Sequence, residues 1–239
     1  MLEIKDLVFN PDGNRNILNG INLTIPDGKL VVLTGPNGGG KTTLAKTIVG
    51  INKPTSGDVL FEGKSIKDLD PTEHSKLGIG FAFQQPVRFK GILVRDLLNI
   101  AAGRTLTEDE LRSVLARVGM DAEAYKDRAV DNYLSGGEIK RIEIATVILK
   151  NNKLAVFDEP EAGIDLWSFN NLIRVFEELR DERKCTLVVI SHQERILSIA
   201  DEIVMIQDGK VGLSGDGKGI FSRLLCKNDC NDCRIKEAQ

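Results

Sequence analysis

Residues 31–50 read VVLTGPNGGGKTTLAKTIVG. A run of branched apolar residues ends in a turn rich in glycine, and the turn feeds straight into a helical pattern. That order restricts the fold more than any other stretch, because a strand, Gly-rich turn and helix form a unit of a parallel α/β sheet. Gly35, Gly40, Lys41 and Thr42 satisfy the G-x4-G-K-[ST] spacing of a phosphate-binding loop. Glycines let consecutive backbone N–H groups curl around an anion with no Cβ in the way. The helix beginning near Lys41 points its positive end at the same place. Lys41 would supply a point charge to the β- and γ-phosphates, and the Thr42 hydroxyl is suited to Mg2+. A plain Gly-rich turn is the bland alternative, and the flanking strand and helix in the right order weigh against it.

KLAVFDEPEAGID (153–165) is a short apolar strand that breaks off at two acids. Parallel sheets bind ligands at the carboxyl ends of their strands. Asp158 is therefore expected near the metal of the phosphate loop, and Glu159 beside it is suited to polarise an attacking water. A solvated turn would use the same residues, and only the pairing with the phosphate loop favours the functional reading. NYLSGGEIKRIEIA (132–145) poses a different problem. Ser135 and Glu138 have the spacing of a helix capping box. The first turn nevertheless contains Gly136 and Gly137, each costing a helix about 1 kcal/mol against Ala. Two glycines at a helix start allow close backbone approach to an anion, a second phosphate-reading element without its own lysine.

The chain of 239 residues is 41% hydrophobic and 28% charged, enough for one large domain or two small ones. The formal net charge of −3 gives no electrostatic case for a nucleic-acid partner. No apolar run is long enough to span a bilayer, so no membrane insertion of its own is expected. The alternating MLEIKDLVFN reads as a strand, not a leader, and a cytoplasmic location with reduced thiols is expected. Strand-like runs fall at 2–8, 21–25, 30–34, 58–61, 79–83, 154–157, 186–190 and 203–206. Thr107 and Glu110 form a second capping-box pattern, followed by an apolar stripe of Leu111, Val114, Leu115 and Val118 that Gly119 ends. Phe169, Leu172, Ile173 and Phe176 make another stripe. The stretch 92–150 holds no convincing strand, which suggests a helical subdomain inserted into an α/β core.

Together these residues resemble the nucleotide-binding subunits of the ATP-binding cassette (ABC) family over roughly 2–225. GPNGGGKTT (35–43) resembles its Walker A loop, LSGGE (134–138) its signature, LAVFDE (154–159) its Walker B strand and AGID (162–165) its D-loop, ending at Asp165. Gln84 in FAFQQP resembles the Q-loop glutamine, and His192 in VVISHQ the switch histidine. The resemblance implies a P-loop NTPase with an α/β core of the RecA type (about 1–90 and 151–225), an antiparallel β subdomain and an inserted α-helical subdomain (about 91–150). It implies ATP hydrolysis with Mg2+ as cofactor. ATP would be bound by Gly35, Pro36, Asn37, Gly38, Gly39, Gly40, Lys41, Thr42 and Thr43, and by Ser135, Gly136, Gly137 and Asp165. Mg2+ would be held by Thr42, Gln84 and Asp158. Glu159 would be the general base, His192 would sense the γ-phosphate and orient water, and Gln84 would complete the catalytic set. Two subunits would form an ATP-dependent head-to-tail homodimer, with Ser135 and Gly137 reading the γ-phosphate in trans. One departure stands out. The loop FNPDGNRN (9–16) offers only Phe9 where many members stack an aromatic ring on adenine.

Four segments (81–92, 135–144, 158–165 and 191–197) resemble the Suf-type ATPases of iron–sulfur cluster assembly. That branch implies a soluble Suf-type scaffold protein as partner, with the ATP-binding subunit of an ABC membrane transporter as the alternative. Beyond the resemblance lies a tail, 226–239, that begins CKNDCNDC. Cys226, Cys230 and Cys233 in that spacing are candidates for zinc or an iron–sulfur cluster, against the alternative of unliganded thiols. Cys185, ahead of a strand, reads as core.

Overall fold

The computed structural model describes residues 1–229 except 86, 90, 132 and 183; for 166, 167 and 225–229 it describes the backbone alone. Cys230 and Cys233 lie outside the described residues, as does the side chain of Cys226. The elements in order are β1 (Leu2–Phe9), β2 (Leu18–Ile25), β3 (Leu30–Thr34), α1 (Lys41–Ile48), β4 (Ser56–Phe61), β5 (Lys64–Ser65), α2 (Pro71–Lys76) and β6 (Ile79–Ala82). Four helices follow: α3 (Val94–Ala102), α4 (Glu108–Arg117), α5 (Ala122–Tyr125) and α6 (Gly136–Leu149). The chain then forms β7 (Leu154–Asp158), α7 (Leu166–Asp181), β8 (Thr186–Ile190), α8 (Glu194–Ser198), β9 (Glu202–Gln207), β10 (Lys210–Asp216) and α9 (Gly217–Asp229).

These strands make two sheets. One is antiparallel in the order β2-β1-β4-β5; the other runs β10-β9-β3-β8-β7-β6. In the second sheet β9, β3, β8, β7 and β6 are parallel, and β10 alone is antiparallel at the edge. The sequence explains the difference. LVVLT, LAVFD and TLVVI are continuous apolar runs, and every residue of β3, β7 and β8 is buried, as strands covered on both faces require. β10, KVGLSGD, alternates exposed and half-buried positions along an edge. Its two glycines and lack of a long apolar run hide it from pattern reading, and it was not among the expected strands. β2 also begins three residues earlier than its apolar pattern suggests, at Leu18, and the two-residue β5 is too short to leave a pattern.

Two apolar cores result. One lies between the sheets and encloses α1 through Leu44, Ala45 and Ile48. The other joins the opposite face of the parallel sheet to the later helices. The stripe Leu111, Val114, Leu115 and Val118 is buried in that second core, and the capping box is formed in both directions between Thr107 and Glu110. On α7, Phe169, Leu172 and Phe176 are buried as their spacing predicts. Phe176 meets Phe157 of β7 edge to face, with centroids 4.9 Å apart. Cys185 is buried at the foot of β8. Between α3 and α6 the sole strand-like pairing among the described residues is an isolated bridge from Leu93 to Ala129.

The functional consequence is alignment. The parallel register pairs Thr34 with Met205 and Asp158 with Ile190, so the segments after β3, β7, β8 and β9 emerge at one edge. Because Phe157 immediately precedes Asp158, its packing fixes that edge. Phe176→Ala should cost about 3–5 kcal/mol. Urea unfolding should show this as a lower midpoint with an unchanged slope.

Candidate functional site

The turn after β3 is forced against β9. A Cβ added to Gly35 would lie 2.2 Å from the Ile206 carbonyl oxygen, and one added to Gly39 would lie 2.7 Å from the same atom. Gly35 also has φ +126°, outside the range of residues with a side chain. Four carbonyl oxygens of the loop are turned to protein donors. Lys41 Nζ donates to the carbonyls of Gly35 at 2.7 Å and Pro36 at 2.9 Å. The Gly39 carbonyl accepts from Gly209 N–H, and that of Gly40 from Leu44 N–H. An anion at the loop therefore meets N–H groups and the start of α1, with these four carbonyls engaged by protein donors. Lys41 is nearly buried. Burial pushes its ammonium down from the usual lysine range, and the Glu159 and Asp158 carboxylates oppose that.

At the end of β7, Asp158 is 1% exposed and accepts the Thr42 hydroxyl at 3.1 Å through Oδ1. Its Oδ2 is buried with no hydrogen-bond partner. Burial pushes this carboxyl up, the Thr42 hydrogen bond pulls it down, and the neighbouring Glu159 charge adds to the rise. An orphaned carboxylate oxygen beside a hydroxyl fits a hard divalent cation such as Mg2+. Among the described residues no group of three or more His, Cys, Asp or Glu is arranged to hold a metal, so the fit rests on Asp158 and Thr42.

Glu159 leaves the strand with φ +47°, and its N–H bonds back to the Ile190 carbonyl at 3.0 Å. This left-handed turn swings its side chain away from the strand line, where Oε2 accepts Gln84 Nε2 at 2.8 Å. Both line the pocket of the phosphate loop, with Asn37 to Thr43. His192 faces a neighbouring hollow with Glu161, Phe169 and Arg195, and its Nδ1 lies 3.3 Å from Thr34 Oγ1. Burial and then the Lys41 charge push the His192 ring down from the usual histidine range, favouring neutral imidazole, while Glu159 opposes this.

The remaining candidates do not join this pocket. Ser135 caps α6, its hydroxyl accepting Glu138 N–H while Glu138 accepts Ser135 N–H. Tyr125 donates to Glu138 at 2.5 Å and is the chief reason that carboxyl is held at about 2. The two glycines behind the cap differ. A Cβ on Gly137 would lie 2.5 Å from the Gly163 carbonyl oxygen, whereas one on Gly136 meets nothing within 4 Å. Gly137 thus has a packing reason within its own chain, and Gly136 has none. Asp165 caps α7, accepting Ser168 N–H and its hydroxyl.

Sequence reading missed one wall of the pocket, formed by Arg15, Asn16, Ile17, Asn19, Asp208 and Gly209. The Asp208-Gly209 pair signals the turn between β9 and β10. Nothing local announces that this turn reaches Gly39 and Asn19. Phe9 belongs to β1 and packs on the core between the sheets, and no aromatic ring lines the pocket among the described residues.

The family model for the ABC transporter matches residues 18–162, more than half of the chain. An uncharacterized ABC transporter ATP-binding protein of Methanocaldococcus jannaschii, MJ0035, is 41% identical over 99% of this chain and 96% of its own length. The cassette MJ0796, solved as a dimer in a post-hydrolysis state with ADP and Pi, superposes with a TM-score of 0.80 at 25% identity, covering 90% of this chain and 98% of that one. The cbiO1 protein of Clostridium perfringens, part of the ABC transporter complex cbiONQ, matches with a TM-score of 0.75 at 31% identity, over 96% and 94% of the two chains. These relatives overturn the expected soluble Suf-type scaffold partner, for they are transporter ATP-binding proteins. The four segments behind that expectation are short, and likeness confined to them weighs less than similarity along nearly the whole chain. Nor do the relatives support the iron–sulfur or zinc reading of the cysteine tail. With an α/β P-loop fold, matching cassettes along nearly its whole length and a pocket built from Walker A and Walker B segments, the chain belongs to the ABC transporter family of ATPases.

Proposed function

We propose that the chain is the ATP-binding and ATP-hydrolysing subunit of a membrane transporter, working as an ATP-dependent dimer beneath membrane-spanning partner chains. One observation carries the reading. Where the Gln84 loop leaves β6, an apolar groove opens against α3 and α6, lined by Phe81, Phe83, Val87, Phe89, Leu97 and Ile100. Val87, Phe89 and Ile100 are 44%, 37% and 67% exposed. Large apolar residues gathered at one place mark an interaction site. A short helix from a partner's loop fits such a groove. No helix among the described residues is long and apolar enough to cross a membrane, so the spanning segments would be supplied by the partner.

In the proposed mechanism the loop 35–43 and Lys41 hold the phosphates. Thr42 and Asp158, with Gln84 nearby, would hold Mg2+, which supplies charge neutralisation on the phosphate oxygens. Glu159 takes a proton from the attacking water as its oxygen bonds to the γ-phosphorus and the bond to ADP breaks. Gln84 orients that carboxylate through the 2.8 Å hydrogen bond. His192, held toward its neutral form, accepts or donates one hydrogen bond near the γ-phosphate without adding charge. The Ser135–Gly137 turn reads the nucleotide of the partner subunit, and Asp165, by capping α7, sets the loop beside it.

Two tests follow from this geometry. Glu159→Gln should lower turnover at least about tenfold and leave an ATP-bound dimer on gel filtration. Gly136→Ala, which has open space and gains about 1 kcal/mol of helix propensity, should keep or raise stability yet weaken ATP-driven dimerisation. Undiminished dimerisation in that variant would remove the trans contact from the proposal. For the partner, the tagged chain should co-purify with an integral membrane protein from detergent-solubilised membranes. Ile100→Glu should abolish that retention and spare basal hydrolysis. Retention by a soluble partner alone would sink the transporter reading.

A further inference from the structure

Lysine is almost never buried unless its charge is paired. Lys140, one turn into α6, is 0% exposed. Its ammonium donates to the main-chain carbonyl of Phe83 and stands 3.4 Å from Glu143 on the next turn. Glu143 in turn accepts the main-chain N–H of the same Phe83 at 2.8 Å. One ion pair thus holds both peptide groups flanking a single loop residue. Phe83 is the first residue past β6, where its peptides have run out of sheet partners, and the residue after it is Gln84. From the signature helix to the carboxylate of Glu159 there are two noncovalent links, the clamp on Phe83 and the Gln84–Glu159 bond.

The pair does more than balance charge. Apolar residues of similar volume commonly replace a buried ion pair at no cost, but here they would leave the Phe83 carbonyl and N–H without partners. The surroundings are also crowded with charge of one sign. Glu143, Asp158 and Glu161 each have a buried oxygen without a hydrogen-bond partner, and all three act on the Lys140 charge. What the pair supplies is a fixed direction. Lys140 gives a donor and Glu143 an acceptor, matched to a carbonyl and an N–H whose spacing only one loop conformation provides.

We propose that Lys140 and Glu143 are positioning residues that lock the Phe83 peptides to α6, so that Gln84 moves with the signature helix and meets Glu159 only in one placement of that helix. The inference rests on the role given above to Glu159, and the test separates the two.

The variant is Lys140→Met combined with Glu143→Leu in the full chain, an apolar pair of similar volume. Its melting temperature should fall, because the Phe83 carbonyl and N–H lose their partners, while the chain stays folded at the assay temperature. ATP affinity, measured by displacement of a fluorescent analogue, should change less than about twofold, while kcat falls at least about fivefold. Hydrogen exchange should show the Phe83 and Gln84 amides losing protection. In a Glu159→Gln background the same pair of changes should lower residual turnover no further, because the clamp acts through that carboxylate. An unchanged kcat, unchanged amide protection, or the same fold-loss in both backgrounds would overturn the proposal. If the double variant does not fold, Lys140→Gln combined with Glu143→Gln, which keeps an uncharged donor and acceptor for the Phe83 peptides, should show a smaller loss of kcat with the same unchanged affinity. Full turnover in Glu159→Gln alone would instead defeat the catalytic assignment, and the amide protection would still report on the clamp.

Discussion

The site depends on one steric constraint, the seating of the 35–39 turn on the Ile206 carbonyl. That oxygen occupies the space a side chain would need at Gly35 or Gly39. The contact exists because β9 lies parallel beside β3 with Thr34 opposite Met205, which leaves Ile206 just beyond the end of β3. The turn between β9 and β10 then closes on the loop, with Gly209 N–H on the Gly39 carbonyl and the Gly209 carbonyl on Asn19 N–H of β2. A single corner thereby joins the parallel sheet, the antiparallel sheet and the phosphate loop. The carbonyls of Gly35, Pro36, Gly39 and Gly40 are satisfied by the protein before any ligand arrives, the first two by the Lys41 ammonium that a phosphate would draw away.

What could be read from the sequence was what is local. The phosphate loop is a strand, turn and helix in consecutive residues, and Asp158 follows from a strand that stops at an acid. The caps at Ser135 and Thr107 are four-residue patterns. What escaped is long-range or conformational. No pattern announces that Glu159 takes a left-handed turn, that Gln84 reaches it across 75 residues of chain, or that Asp208 and Gly209 close the pocket. Gly137 is instructive. Its cost to the helix was legible and pointed to an anion, yet the structure gives it a second reason in the Gly163 carbonyl, a contact between segments far apart in sequence. The choice of partner failed for a related cause. Likeness to one branch in four short segments weighs little against similarity over the whole chain.

Charge at the site is arranged to be unsatisfied until the ligand comes. Asp158 keeps an orphaned oxygen, and burial raises it toward the neutral form. Lys41 is pushed the opposite way by the same cause and rests on two carbonyls. A nucleotide with a divalent cation brings both signs at once. In the proposed site its phosphates would give Lys41 a stronger acceptor than a carbonyl, and its cation would give Asp158 the partner the protein withholds. Either charge alone would relieve one group and leave the other strained, so the pair of buried groups favours the complex over its parts.

In the proposed mechanism Phe83 is where partner binding and hydrolysis meet. Its ring lines the apolar groove, its peptides are gripped by Lys140 and Glu143, and its neighbour Gln84 holds Glu159. A helix seated in the groove presses on a residue one covalent step from the glutamine that orients the proposed base. The same residue is fastened to the helix that carries the signature turn. Communication in this fold therefore requires no long relay. It requires that the loop after β6 be unable to move independently of α6, and a buried ion pair gripping the main chain enforces that more narrowly than apolar packing, which tolerates sliding. Hydrocarbon in the same space would leave the Phe83 carbonyl and N–H unpaired and the loop free to slide, so the ion pair both satisfies this turn and fixes its direction.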